Sequence, residues 1–167
     1  AGGYNAIEVM RSRASVRKYQ DRAIPREVLE EIVDCGRLAP SGANQQAWVF
    51  VVVTDPDLRR QIGEFAKHGK FIDEAPACIA VLCRKDALCE VEDACAATEN
   101  MIIAAWAHGV GACWVNSHRK AHSAAVEGLL GCPETHELVT MFALGYPAED
   151  KRRPKKTLDE VLCWERF

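Results

Sequence analysis

The chain has 167 residues, 49% hydrophobic and 27% charged, with a formal net charge of -3. That length is near the size of one domain and allows a sizeable core, while the charge excludes the basic footprint of a nucleic-acid binder. The apolar runs at residues 49–53 and 77–83 are too short for a membrane-spanning helix.

The opening Ala1-Gly-Gly-Tyr-Asn5 has no basic segment followed by an apolar one, so no export signal is read. The expected compartment is the cytoplasm. Eight cysteines stand at positions 35, 78, 83, 89, 95, 113, 132 and 163, with no Cys-x-x-Cys pair among them. The six-residue steps Cys83, Cys89, Cys95 fit no iron–sulfur spacing. Most read as buried thiols that behave as small hydrophobes in a reducing compartment. A cysteine-held metal is the alternative.

In chain order, residues 5–13 pattern as a short helix with Ile7 and Met10 on one face. Arg13-Ala-Ser-Val-Arg17 follows, then Tyr19 and a polar turn through Asp21. Pro25 opens a second helix whose buried face is Val28, Leu29, Ile32, Val33 and Gly36. Pro40 ends it, because proline lacks an N–H and biases Ala39 away from helix. Gly42 is expected to relieve the turn, and Ser41, Asn44, Gln45 and Gln46 crowd the joint before Trp48. This turn is either an ordinary loop or a set of donors and acceptors for a polar heterocycle.

Residues 48–53 are continuously apolar and β-branched, which predicts a strand covered on both faces. Thr54-Asp55-Pro56 is a capped helix start ahead of Leu58, Ile62 and Phe65. Ala75-Pro76 breaks the chain, residues 78–83 form a second strand, and 84–91 form a loop placed to cover a site. The longest helix pattern, 92–108, is rich in alanine and ends at Gly109-Val-Gly111. A strand at 112–116, a helix at 121–130 and a strand at 138–144 follow, closing at Gly145-Tyr-Pro147. Then comes the basic run 151–156. The end, 158–167, carries Val161, Leu162, Trp164 and Phe167, which pack on the chain's own core or on a partner. Helices alternating with four strands and no repeat give one α/β or α+β domain over residues 1–167.

Arg13, Ser15 and Arg17 alternate, so an extended backbone puts all three on one side. They are either solvated arginines or a receptor for phosphate, carboxylate or a negatively charged ring. Lys151, Arg152 and Arg153 make a second cationic cluster. His118 and His122 stand four apart, but no Glu or Cys completes a zinc set at a recognised spacing. They read as solvated histidines at a helix start, and no metal site is expected. Cys113, Met101 and Trp106 read as core.

Taken in order, Arg13-x-Ser15-x-Arg17, Ala39-Pro-Ser-x-x-Asn44-x-Gln46-x-Trp48, Gly109-x-Gly111-x-x-Trp114 and Gly145-Tyr-Pro147 resemble the nitroreductase family of FMN-dependent oxidoreductases. The resemblance spans about residues 7 to 161. It implies an α+β three-layer fold, with a central mixed or antiparallel sheet flanked by helices, in an intertwined homodimer. FMN would lie at the interface, and residues 157–167 would pack on the partner. Arg13, Ala14, Ser15 and Arg17 are implied to hold the flavin, with Arg13 facing its phosphate beside Lys151 and Arg153. Arg17 would neighbour N1 and the C2 carbonyl, where a cation favours the reduced anion. Pro40, Ser41, Asn44 and Gln46 would approach from the partner subunit, and Trp114, Val115 and Asn116 would pass by the ring.

The implied activity moves hydride from NADH or NADPH through flavin N5 to a nitroaromatic, quinone or similar acceptor. It requires no catalytic protein nucleophile or base. A flavin redox relay, a dehalogenase, a flavin destructase and a dehydrogenase of cyclic peptides are the alternatives. Two departures bear on specificity: Ala47 stands where the family often has Pro, and the 84–91 segment is short for substrate-covering helices.

Overall fold

Four antiparallel strands organise the computed structural model, which describes residues 5–167: β1 (Trp48–Val53), β2 (Ala77–Arg84), β3 (Gly111–Asn116) and β4 (His136–Gly145). Their order across the sheet is β1-β2-β4-β3, so β2 and β4 are central. The opening residues on which the absence of an export signal was read lie outside the described residues, apart from Asn5.

Among the described residues, six α-helices flank the sheet: α1 (Ala6–Ser12), α2 (Arg26–Arg37), α3 (Pro56–Phe65), α4 (Phe71–Glu74), α5 (Glu90–Ala107) and α6 (Ser123–Leu130). Side chains alternate along each strand, and here both faces are used. Ile79, Val81, Phe142 and Leu144 join a core with Leu29 and Ile32 of α2 and Met101 and Ala105 of α5. Cys78, Ala80, Leu82, Met141 and Ala143 join a second core with Ile62, Ile72 and Val126. Two covered faces explain why β2 and β4 read as unbroken apolar runs. The three-layer α+β expectation holds, with an antiparallel sheet.

The helix boundaries follow local chemistry. Asp55 caps α3 by accepting from the Leu58 N–H at 2.8 Å, with Pro56 in the first turn. Alanine in α5 and Gly36 in α2 let these two helices approach closely. A Cβ added at Gly36 would stand 2.6 Å from Met101 Cγ. No described helix is long and apolar enough to cross a membrane.

Two expectations are corrected. β1 is an edge strand rather than a doubly covered one: Val49 and Val52 are 48% and 39% exposed. Both of its faces are only partly covered: Trp48 and Phe50 pack against one core, and Val51 and Val53 against the other. Of the two packings left open for 158–167, the one on the chain's own core is not adopted, because 151–167 is exposed throughout. The cysteines are less uniformly buried than expected. All eight are free, but only Cys78, Cys83 and Cys113 are buried, and Cys163 is exposed.

Candidate functional site: a cationic groove beside the third strand

Residues 13–20 run extended between the end of β4 and β3. Ser15 bridges Ala112 in parallel register, with the Val16 N–H donating to the Ala112 carbonyl at 3.0 Å. Tyr19 bridges Pro147, and the Gln20 N–H donates to the Tyr146 carbonyl at 2.9 Å. Val16 points inward, 3% exposed, against Gly111, whose missing side chain makes room for it. The alternation then turns Arg13, Ser15 and Arg17 toward the opposite side, as the spacing predicted.

On that side is a groove of about 810 Å³ lined by Arg13, Ala14, Ser15, Arg17, Lys70, Phe71, Glu149, Lys151 and Arg153, among others. Nine Lys and Arg side chains line it against two Glu, so it is built for an anion. Its volume falls within the usual range of small-molecule sites, about 300–1,000 Å³. The Arg17 guanidinium sits over the Phe71 ring, 5.9 Å from the centroid. Arg13 faces Glu99 at 3.9 Å. Two of the segments that were far apart in sequence, 13–17 and 151–153, are thus brought together.

Sequence reasoning missed Glu149, Lys70 and Phe71. Glu149 accepts from the Arg17 N–H at 2.8 Å and faces Lys151 at 3.9 Å. The Arg17 N–H, then the Lys151 charge, hold its carboxyl below the ordinary carboxylate range. It locks the groove's two walls together. No local pattern marks any of the three, because each enters through tertiary pairing.

β3 passes beside the groove. Cys113 is buried, which pushes its thiol up, and Arg17 opposes that shift. Trp114 is half-buried on the opposite face, Val115 is buried in the second core, and Asn116 at the strand end is exposed. None of the three lines the groove.

The polar turn is elsewhere in this protomer. Pro40, Asn44 and Gln46 are exposed and Ser41 is half-buried. The Gln46 N–H donates to Ser41 Oγ at 3.1 Å, and the Gly42 N–H donates to Asp93 Oδ1 at 2.9 Å. The 84–91 segment is anchored to the same turn through the Leu88 N–H, which donates to Gln45 Oε1 at 2.9 Å. Gly42 is not where the backbone becomes left-handed. Ala43, Asn44 and Gln46 are, with φ of 49°, 54° and 48°. Gly42 is needed for a different reason: a Cβ there would meet Cys89 Sγ at 2.8 Å. Three non-glycine residues in that region store strain of roughly 1–2 kcal/mol each, a mark of functional loops.

A larger cleft of about 1080 Å³ runs along the open β1 edge past Ile24, Leu29, Val33 and Val52, and none of the expected site residues lines it. His118 is also not solvated as expected, but lies between Glu90 and Glu137 at 3.6 and 3.7 Å.

Comparison with known proteins identifies the family. The family model described as "Nitroreductase family" matches residues 10–71 and 66–146. An Archaeoglobus fulgidus protein named "Putative NADH dehydrogenase/NAD(P)H nitroreductase" is 35% identical over 152 residues, covering 87% of each chain. An iodotyrosine deiodinase of Nematostella vectensis is 26% identical over 191 residues, covering 92% of this chain and 72% of that one. The solved FMN-dependent nitroreductase from Clostridium difficile superposes with a TM-score of 0.91 at 24% identity, over 96% of this chain and 99% of that one, a likeness of fold. The motifs, the fold and these matches agree, and the chain belongs to the nitroreductase family, a family of oxidoreductases.

Proposed function

We propose that the chain is an FMN-dependent oxidoreductase that takes hydride from NADH or NADPH and passes it to a nitroaromatic, quinone or similar acceptor, working as a homodimer. The observation that carries the reading is the groove in which Arg13, Ser15, Arg17, Lys151 and Arg153 converge around an anion-sized space. Support for the cofactor comes from the FMN-dependent solved neighbour, and for the donor from the name of the archaeal relative. When bound, FMN supplies the hydride chemistry, so the protein's part is binding, orientation and electrostatics. Arg13, Lys151 and Arg153 hold the phosphate by charge-assisted hydrogen bonds. Ala14 and Ser15 line the path between, and the Arg17 guanidinium lends positive charge to the ring.

Pro40, Ser41, Asn44 and Gln46 lie outside the groove of their own subunit, which favours a site completed by the turn of a second copy. The open edge of β1 and the exposed 151–167 segment favour the same dimer. Unpaired strand edges and residues such as Trp164, 79% exposed, need cover.

Arg13→Ala and Arg153→Ala are expected to weaken FMN retention while leaving the fold intact, since each removes one phosphate partner of about 1.5–3 kcal/mol. Flavin content and melting temperature of the purified variants check this; equal occupancy in variant and parent counts against the assignment. Mass measured in solution checks the dimer, and a monomer that holds FMN contradicts it. Reductive dehalogenation is the second reading, favoured by the deiodinase relative. Turnover on iodotyrosine without turnover on nitroaromatics or quinones selects it.

A further inference from the structure

Away from the cationic groove, three side chains from three elements meet. Glu90 is the first residue of α5, Glu137 the second of β4, and His118 follows the end of β3 by two residues. One ligand atom from each lies within 4.8 Å of the others. His118 Nε2 is 3.6 Å from Glu90 Oε1 and 3.7 Å from Glu137 Oε1. Those separations are too long for hydrogen bonds. They are close to the edge of a coordination polyhedron, since donors bound at 2.0–2.1 Å to a tetrahedral ion stand about 3.4 Å apart.

The interior of the cluster is unsatisfied. His118 Nε2 and Glu90 Oε2 are both enclosed by protein atoms and lack a hydrogen-bond partner. The nearest fixed positive charge, Arg119, touches both carboxylates only at 3.5 Å, and its side chain is 71% exposed.

We propose that Glu90, His118 and Glu137 form a divalent-metal site, with zinc as the ion that fits best. One imidazole and two carboxylates suit Zn²⁺ and its first-row neighbours, whereas Mg²⁺ and Ca²⁺ prefer all-oxygen shells. Three protein ligands leave coordination positions for water. The ion ties the turn after Trp114–Asn116 to α5 and β4. The site stands independently of the flavin reading, because ion binding is measured whether or not the protein carries flavin.

The test is Zn²⁺ binding by equilibrium dialysis on chelator-treated protein, paired with the absorption spectrum of the Co²⁺ form. One ion per chain is expected, with a Co²⁺ spectrum free of thiolate charge transfer. His118→Ala and Glu137→Gln are each expected to weaken binding at least about tenfold. Zn²⁺ raises the melting temperature of the parent but not of these variants. Arg119→Ala, which keeps all three ligands and removes the competing cation, is expected to tighten binding. Thiolate charge transfer, no bound ion, equal affinity in parent and both ligand variants, or unchanged or weaker binding by Arg119→Ala each overturns the proposal.

Discussion

Gly111→Ala tests how the groove is held. Gly111 opens β3 directly beneath the segment that carries Arg13, Ser15 and Arg17. A Cβ there would lie 2.6 Å from Val16 Cγ2, 2.8 Å from Val16 Cβ and 3.1 Å from Pro147 Cγ. Carbon atoms in contact sit about 3.5–4.0 Å apart, so the segment must lift by about 1 Å. Overpacking of this kind costs about 1–3 kcal/mol, or roughly 2–12 °C in melting temperature for a chain of this size. Lifting Val16 also displaces its neighbours Ser15 and Arg17, so affinity for FMN should fall together with stability. Gly128→Ala is the control. It lies in α6, exposed, with nothing within 4 Å of the added Cβ. Replacing a helix-interior glycine there should stabilise by about 0.5–1 kcal/mol. Thermal melts and flavin titrations of both variants, at one protein concentration, give the comparison. If Gly111→Ala proves no more harmful than Gly128→Ala, the close packing of the 13–17 segment on β3 does not position the groove.

Asp93 anchors the polar turn, being 4% exposed and accepting from the Gly42 N–H at 2.9 Å. Asp93→Ala should cost about 1.5–3 kcal/mol, whereas Asp93→Asn keeps an acceptor in place and should cost less; chemical denaturation of the pair measures the difference. Glu149 has a lowered pKa in the folded chain, first through the Arg17 N–H. Its stabilisation is therefore present above the ordinary carboxylate range and is lost as pH falls through its lowered value. The stability gap between parent and Glu149→Gln should be open near neutral pH and close in acid. A gap that is constant with pH refutes the assignment.

Local features of the fold were legible because they depend on near neighbours in sequence. The strand read at 48–53 has the bounds of β1, and the Thr54-Asp55-Pro56 start is capped as expected. Alternating Arg13, Ser15 and Arg17 line the groove because period two follows from an extended backbone, wherever that backbone lies. The edge position of β1 was not legible, since an apolar run looks the same whether its cover comes from this chain or another. Nor was α4, whose single turn is too short to show a period. Glu149 and Phe71 reach the groove only through pairings across the fold. Glu90, His118 and Glu137 illustrate the limit most clearly: no Glu or Cys near His118 in sequence stands at ligand spacing, yet the fold brings two carboxylates to it.

The most direct test of the proposed function is the absorbance spectrum of the purified protein, before and after anaerobic addition of NADH or NADPH. A flavin spectrum is expected, with FMN released on denaturation, that bleaches with the nicotinamide and recovers when a quinone or nitroaromatic is added. A chain that takes up no FMN when it is supplied, or whose bound FMN stays oxidised in excess NADH and NADPH, contradicts it.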